Sequence, residues 1–127
     1  EEQPRIAGLY LNRLKKGMKL QADPTVIFAI KKASGNFDQQ IKRVLYKDLR
    51  LKSPYNTYKI KGLPPGPIAM PDLSAIEAVL NPEKHSYLYF VASPEKPGYH
   101  LFAKTLVQHN INKKAYVRWI NKQKIFR

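Results

Sequence analysis

Cysteine is absent from this sequence, which excludes disulfides and thiolate metal sites. Acidic residues are few, 9 against 23 lysines and arginines, and the formal net charge is +14. That excess invites a polyanion: nucleic acid, an anionic lipid surface or a carboxylate-bearing polymer. The cations are scattered, with local density only around Lys59 and Lys61, at Lys113 and Lys114, and over residues 122–127. No RNA-binding RNP1 pattern or zinc-finger spacing goes with them, so specific nucleic-acid binding is not expected. We read the charge as favouring solubility and attraction to acidic surroundings. No run of about 18 apolar residues occurs, nor a basic n-region followed by an apolar h-region, and the chain reads as soluble. It begins at Glu1 and not at a methionine, as a processed or excised piece would. GxGxxG, GxxxxGK followed by Ser or Thr, and GxSxG are all missing, which removes support for dinucleotide, nucleoside triphosphate and serine-hydrolase chemistry. His85, His100 and His109 are too dispersed for a metal motif and read as structural histidines; no metal and no cofactor are expected.

What is present centres on residues 53–68, SPYNTYKIKGLPPGPI. Ser53 before Pro54 is biased towards β or polyproline conformations. Tyr55, Thr57 and Tyr58 favour strand, and Asn56 weakens a regular one. Gly62 can take a positive φ, while Pro64, Pro65 and Pro67 fix φ and remove donors. The stretch therefore reads as extended and turn-punctuated. So stiff a segment loses little entropy on ordering, which suits a cleft wall as well as it suits a plain surface connection.

Along the chain, residues 4–16 read as a first helix with Pro4 at its start and Gly17 as its stop. Ile6, Leu9, Tyr10 and Leu14 form its apolar stripe, and Asn12 and Arg13 read as a solvated polar face beside it. Asp23 is a good N-cap and Pro24 a good first residue for a second helix, which ends at Ser34-Gly35-Asn36. Residues 37–52 give mixed signals and are expected to be a short helix or irregular piece, then extended chain. A third helix starts at Pro71 or Asp72, carries Leu73, Ile76, Val79 and Leu80 on one face, and stops at Asn81-Pro82. Residues 87–92, YLYFVA, are the clearest strand, with residues 99–102 returning as its antiparallel partner. Thr105 caps a last helix with Val107, Ile111, Ala115 and Trp119 spaced by four. Residues 122–127 read as a frayed basic tail. With 127 residues, these elements predict one compact α+β domain, its helices packed on a small, mainly antiparallel sheet.

Several of these stretches together resemble the YceG-like endolytic murein transglycosylases, bacterial enzymes that cut nascent peptidoglycan glycan strands. They are residues 53–68; RIAG from Arg5; LNRL from Leu11; Gly17-Met18; LQADPTVI from Leu20; Leu80-Asn81-Pro82; YLYFV from Tyr87; and His109-Asn110. They occur in the family's order and cover roughly residues 4–112. The resemblance implies that residues 1–127 are the C-terminal portion of the family's catalytic domain. It implies a lyase reaction in which the muramyl 6-hydroxyl attacks the anomeric carbon and leaves a 1,6-anhydro end. One glutamate serves there as acid and then base, in a helical segment expected upstream of Glu1. No catalytic residue is therefore assigned within the chain, and the piece alone is expected to be inactive.

What the resemblance leaves here is a substrate cleft: Gln21, Asp23, Ser53, Tyr55, Asn56, Thr57, Tyr58, Pro64 and Pro65. They are expected to line one groove and to bind N-acetyl and hydroxyl groups. The implied setting is a protein anchored in the inner membrane by a segment outside this chain, its domain facing the periplasm or cell wall. Glycan strands and peptidoglycan synthases are the implied partners. An older family label, aminodeoxychorismate lyase, would require pyridoxal phosphate, for which the chain shows no phosphate loop. The competing class is a non-catalytic basic module that holds glycan or another polyanion.

Overall fold

The computed structural model describes residues 2–41 and 44–123; Glu1 and the end of the expected basic tail lie outside these. The described elements are four α-helices, α1 (Gln3–Lys15), α2 (Asp23–Ser34), α3 (Leu73–Leu80) and α4 (Leu106–Lys122), a 3-10 turn at Asp48–Arg50, and strands β1 (Tyr89–Ala92) and β2 (His100–Ala103). The two strands form one antiparallel sheet, so the class is α+β. Contacts among the described residues gather into two compact units, residues 2–13 with 71–123, and residues 14–70.

In the first unit the hairpin pairs Tyr89 with Ala103 and Ala92 with His100. Its loop is closed by Ser93 N donating to Tyr99 O, and Gly98 supplies a positive φ. β-branched and aromatic residues favour this pleated surface, and its rings pack as a cluster: Tyr10 meets Phe90 edge-on at 5.8 Å, and Phe90 stacks on Phe102 at 6.0 Å. Helix α4 lies against both strands. Thr105 caps it as expected, accepting from Gln108 N. The buried face of α4 differs from the expected stripe. Val107 and Ile111 are exposed, whereas Ile120 is buried and His109 stacks on Tyr89 at 5.1 Å.

Helix α1 enters this unit through Ala7, Gly8 and Leu9, all buried. Gly8 is required by close approach, because a Cβ there would overlap the Glu83 carbonyl oxygen and crowd His85. Asn12 and Arg13 are not a solvated face. Asn12 Nδ2 donates to the carbonyls of His85 (2.9 Å) and Tyr87 (3.1 Å). Arg13, only 5% exposed, donates from Nε to Leu88 O and lays its guanidinium over the Tyr89 ring. The segment before β1 has unpaired carbonyls that need donors, and these two side chains supply them. Helix α3 forms where expected, but its apolar residues face outward: Leu73, Ile76, Val79 and Leu80 are exposed and only Ala78 is buried.

The second unit is built on α2, whose Val26 and Ala29 are buried and whose C-terminus stops at Gly35 in the left-handed conformation. Helix α2 starts one residue earlier than expected. Ala22 is the N-cap and makes no side-chain cap, and Asp23 is the first helical residue. Residues 37–47 are irregular apart from Lys42 and Arg43, which lie outside the described residues, and lead into the 3-10 turn. Residues 53–68 are a chain of tight turns, not an extended segment. Asn56 N donates to Ser53 O, and both Lys59 N and Ile60 N donate to Asn56 O. The strand preference of Tyr55, Thr57 and Tyr58 goes unmet because turn hydrogen bonds take the backbone first. Gly62 has the expected positive φ, +80°.

Candidate functional site

The turns at residues 53–58 are knitted to the start of α2 by two buried residues. Asn56 is 0% exposed; its Nδ2 donates to the carbonyls of Leu49 (3.0 Å) and Leu51 (2.7 Å), and its Oδ1 accepts from Tyr58 N (2.9 Å). Thr57 is equally buried. Its Oγ1 accepts from Ala22 N (2.9 Å) and lies 2.8 Å from Thr25 Oγ1, and its carbonyl accepts from Gln21 N (3.2 Å). Buried polar groups must be paired inside, and here every one is. Asn56 and Thr57, expected in the substrate cleft, are thus buried with their side-chain polar atoms consumed in the interior.

Next to them in the chain is a surface group. Tyr58 Oη donates to Asp23 Oδ1 at 2.6 Å. Asp23 is exposed, and its second carboxylate oxygen has no protein partner among the described residues. Beside it Gln21, also exposed, holds a φ of +50°, which no other non-glycine residue among those described takes to be positive. A left-handed glutamine costs about 1 kcal/mol, sustained here by the bond from its amide to Thr57. The side chains of Asp23 and Tyr58 thus meet at the surface, and the backbone of Gln21 is tied to Thr57, next to Tyr58 in the same turn.

The remaining expected residues are placed differently. Ser53 serves its own turn, its Oγ accepting from Tyr55 N at 3.2 Å. Tyr55 packs on Phe28 (4.8 Å between rings) under Lys32, with its hydroxyl near Gly66. Pro64 is half-buried and Pro65 exposed, within the turn-rich stretch that follows Gly62. A cavity of about 440 Å³ in this unit is lined by Ile30, Ala33, Ser34, Lys47, Asp48, Arg50 and Leu51, none of them an expected site residue. No cluster of three potential metal ligands occurs among the described residues, and no helix there is long and apolar enough to cross a membrane.

Three other carboxylates are engaged as well. Glu2 binds His100, Glu83 pairs with Arg5 Nε at 3.0 Å, and Asp48 Oδ2 accepts from Leu45 N at 2.8 Å. His85 is a satisfied structural histidine, with Nε2 2.8 Å from Arg5 O and Nδ1 accepting from Tyr87 N. His109 is not: its Nδ1 is buried without a hydrogen-bond partner among the described residues. Burial first, then the charges of Lys113 and Arg13, hold its pKa below the usual histidine value.

Comparison with known proteins agrees with the resemblance. A model of the YceG-like family matches residues 1–115. An endolytic murein transglycosylase from Bacillus subtilis is 50% identical over 113 residues, 89% of this chain and 29% of that protein. Its counterpart from Streptococcus pneumoniae is 40% identical over 92 residues, 72% of this chain and 16% of that protein. A crystal structure of a YceG-like protein from Listeria monocytogenes aligns with a TM-score of 0.70 and 47% identity, over 84% of this chain and 31% of that one. The chain therefore spans under a third of the length of each of these relatives.

Proposed function

The chain belongs to the YceG-like family, whose model matches residues 1–115, and from that we propose that it forms part of an endolytic murein transglycosylase. Its similar relatives carry that name. The observation that carries the reading to particular residues is the Tyr58–Asp23 hydrogen bond beside the left-handed Gln21. In this reading Asp23, Gln21 and Tyr58 bind hydroxyl and N-acetyl groups of a glycan strand, with Ser53, Tyr55, Pro64 and Pro65 shaping the same wall. A rigid turn segment with its buried amide satisfied holds these groups without reorganisation when a sugar arrives.

The reaction proposed is an intramolecular transfer. The muramyl 6-hydroxyl oxygen forms a bond to C1 as the C1–O glycosidic bond breaks. A carboxylic acid protonates the departing oxygen, and the resulting carboxylate takes the proton of the 6-hydroxyl. No water is consumed, and the product ends in a 1,6-anhydro sugar. We place that carboxylate in a helical segment outside these 127 residues, as the resemblance to the family implies. A membrane anchor, a cell-wall-facing location and contact with peptidoglycan synthases belong to the same proposal.

The test is kinetic. In the longer protein acting on purified, uncrosslinked glycan strands, Asp23→Asn and Tyr58→Phe are each expected to lower kcat/KM by roughly 3- to 10-fold, the size of one hydrogen bond. Binding of strands without any cleavage would instead establish the glycan-binding module. Unchanged kinetics in both variants would remove Asp23 and Tyr58 from the site.

A further inference from the structure

The first unit holds a second arrangement with the form of a binding site. Glu2 and His100, 98 positions apart, meet through both carboxylate oxygens: Oε1 lies 2.8 Å from His100 Nδ1, and Oε2 accepts from His100 N at 3.2 Å. The side chains are 15% and 27% exposed, respectively. Phe90 and Phe102 flank the imidazole at 5.1 and 6.3 Å. Its position is therefore fixed from several sides, while Nε2 has no protein partner among the described residues. His85 in the same unit is the contrast, since both of its ring nitrogens are consumed by the fold. A histidine needed only as a tie would resemble His85. A carboxylate on Nδ1 sets the tautomer and ring orientation and leaves Nε2 for another group.

That ring borders a cavity of about 380 Å³ lined by Glu2, Gln3, Ile6, Ser74, Gly98 and His100, within the size range of small-ligand pockets. Ser74 and Gln3 are exposed and offer a hydroxyl and an amide, and Ile6 offers an apolar patch. Gly98, at φ +85°, leaves its backbone unshielded by a side chain. We propose that this cavity is a second glycan-binding site, in which His100 Nε2 and Ser74 Oγ hydrogen-bond the hydroxyl or N-acetyl groups of one sugar unit. Both Glu2 oxygens are already engaged by His100, so the cavity offers an imidazole nitrogen, a hydroxyl and an amide, a set that suits an uncharged, hydroxyl-rich face. The proposal rests on the glycan reading above but uses different residues.

The experiment is an amide-resolved NMR titration of the 127-residue chain with a peptide-free tetrasaccharide of alternating N-acetylglucosamine and N-acetylmuramic acid. Saturating shifts are expected at Gln3, Ser74, Gly98 and His100. His100→Asn places an amide donor where Nδ1 meets Glu2 and removes Nε2; it is expected to weaken binding at these signals about 10-fold or more. The responses of Gln21 and Tyr58 should stay unchanged in that variant. Ser74→Ala, at an exposed position, provides a second variant and is expected to weaken the same signals roughly 3-fold. Shifts only at Gln21, Asp23 and Tyr58 would overturn this site and leave the first one standing. Equal affinity in both variants, no shifts at all, or a response only to free stem peptide would also overturn it.

Discussion

Single residues decide how polar groups are handled in both units. Asn56 is the sharpest case, because its amide satisfies two carbonyls and one N–H in a place with no water access. Asn56→Ala is expected to cost roughly 3 kcal/mol in chemical denaturation, the scale of leaving buried partners unpaired. A loss of activity with unchanged stability would return Asn56 to the substrate surface. His109 gives a pH dependence. Its folded pKa lies below the ordinary histidine value of 6.5, so between the two values the unfolded chain binds more protons than the native one. Stability therefore rises with pH across that window and is lost as pH falls from about 6.5 towards the folded pKa. Tyr89 stacks on the ring, and the nearby charges of Lys113 and Arg13 disfavour the imidazolium. Unfolding free energies measured from pH 7.5 down to 5 (about the range that matters) are expected to slope less in a His109→Gln variant. Parallel slopes would contradict the assignment.

At the scale of elements, the signals that hold locally were readable and the ones that depend on packing were not. Gly17 and Gly35 end helices because only a left-handed residue closes those turns, and both have positive φ. Thr105 caps α4 by a bond within its own first turn. The hairpin follows from alternating aromatic and β-branched residues around a Gly-containing loop. By contrast, spacing by four in α4 identified Val107 and Ile111, yet the buried residues there include Ile120. Periodicity shows that a face exists and cannot say which face meets the sheet when apolar residues lie on several. The same limit applies to α3, whose leucines look like core and are exposed. Leu73→Ser and Leu80→Ser are accordingly expected to change stability by less than about 0.5 kcal/mol. Ile120→Ala is expected to cost about 2–4 kcal/mol. A large loss from the α3 variants would show that this helix is buried in solution. At the candidate site, Asp23 and Gln21 were legible as polar groups near a helix start. The turn that brings Tyr58 onto Asp23 was not, since it depends on the local bonds of buried Asn56 and on the bond from Ala22 to Thr57 across 35 residues.

For the whole molecule, the charge of +14 acts at long range and without a pattern that would read bases. Any binding to DNA is expected to be sequence-independent and to collapse between low and physiological salt, as counterion release dictates. A complex that keeps its sequence preference at high salt would reverse the ranking of glycan over nucleic acid. The Tyr58–Asp23 group lies in one unit and the Glu2–His100 pair in the other. The chemistry itself is what most needs measurement. Purified, uncrosslinked glycan strands should be incubated with the longer protein and, separately, with the 127-residue chain, and the new chain ends identified by mass spectrometry. The account predicts 1,6-anhydro ends, without added water, from the longer protein and no new ends from the chain alone. Hydrolytic reducing ends from the longer protein, or anhydro ends from the 127 residues by themselves, would contradict it.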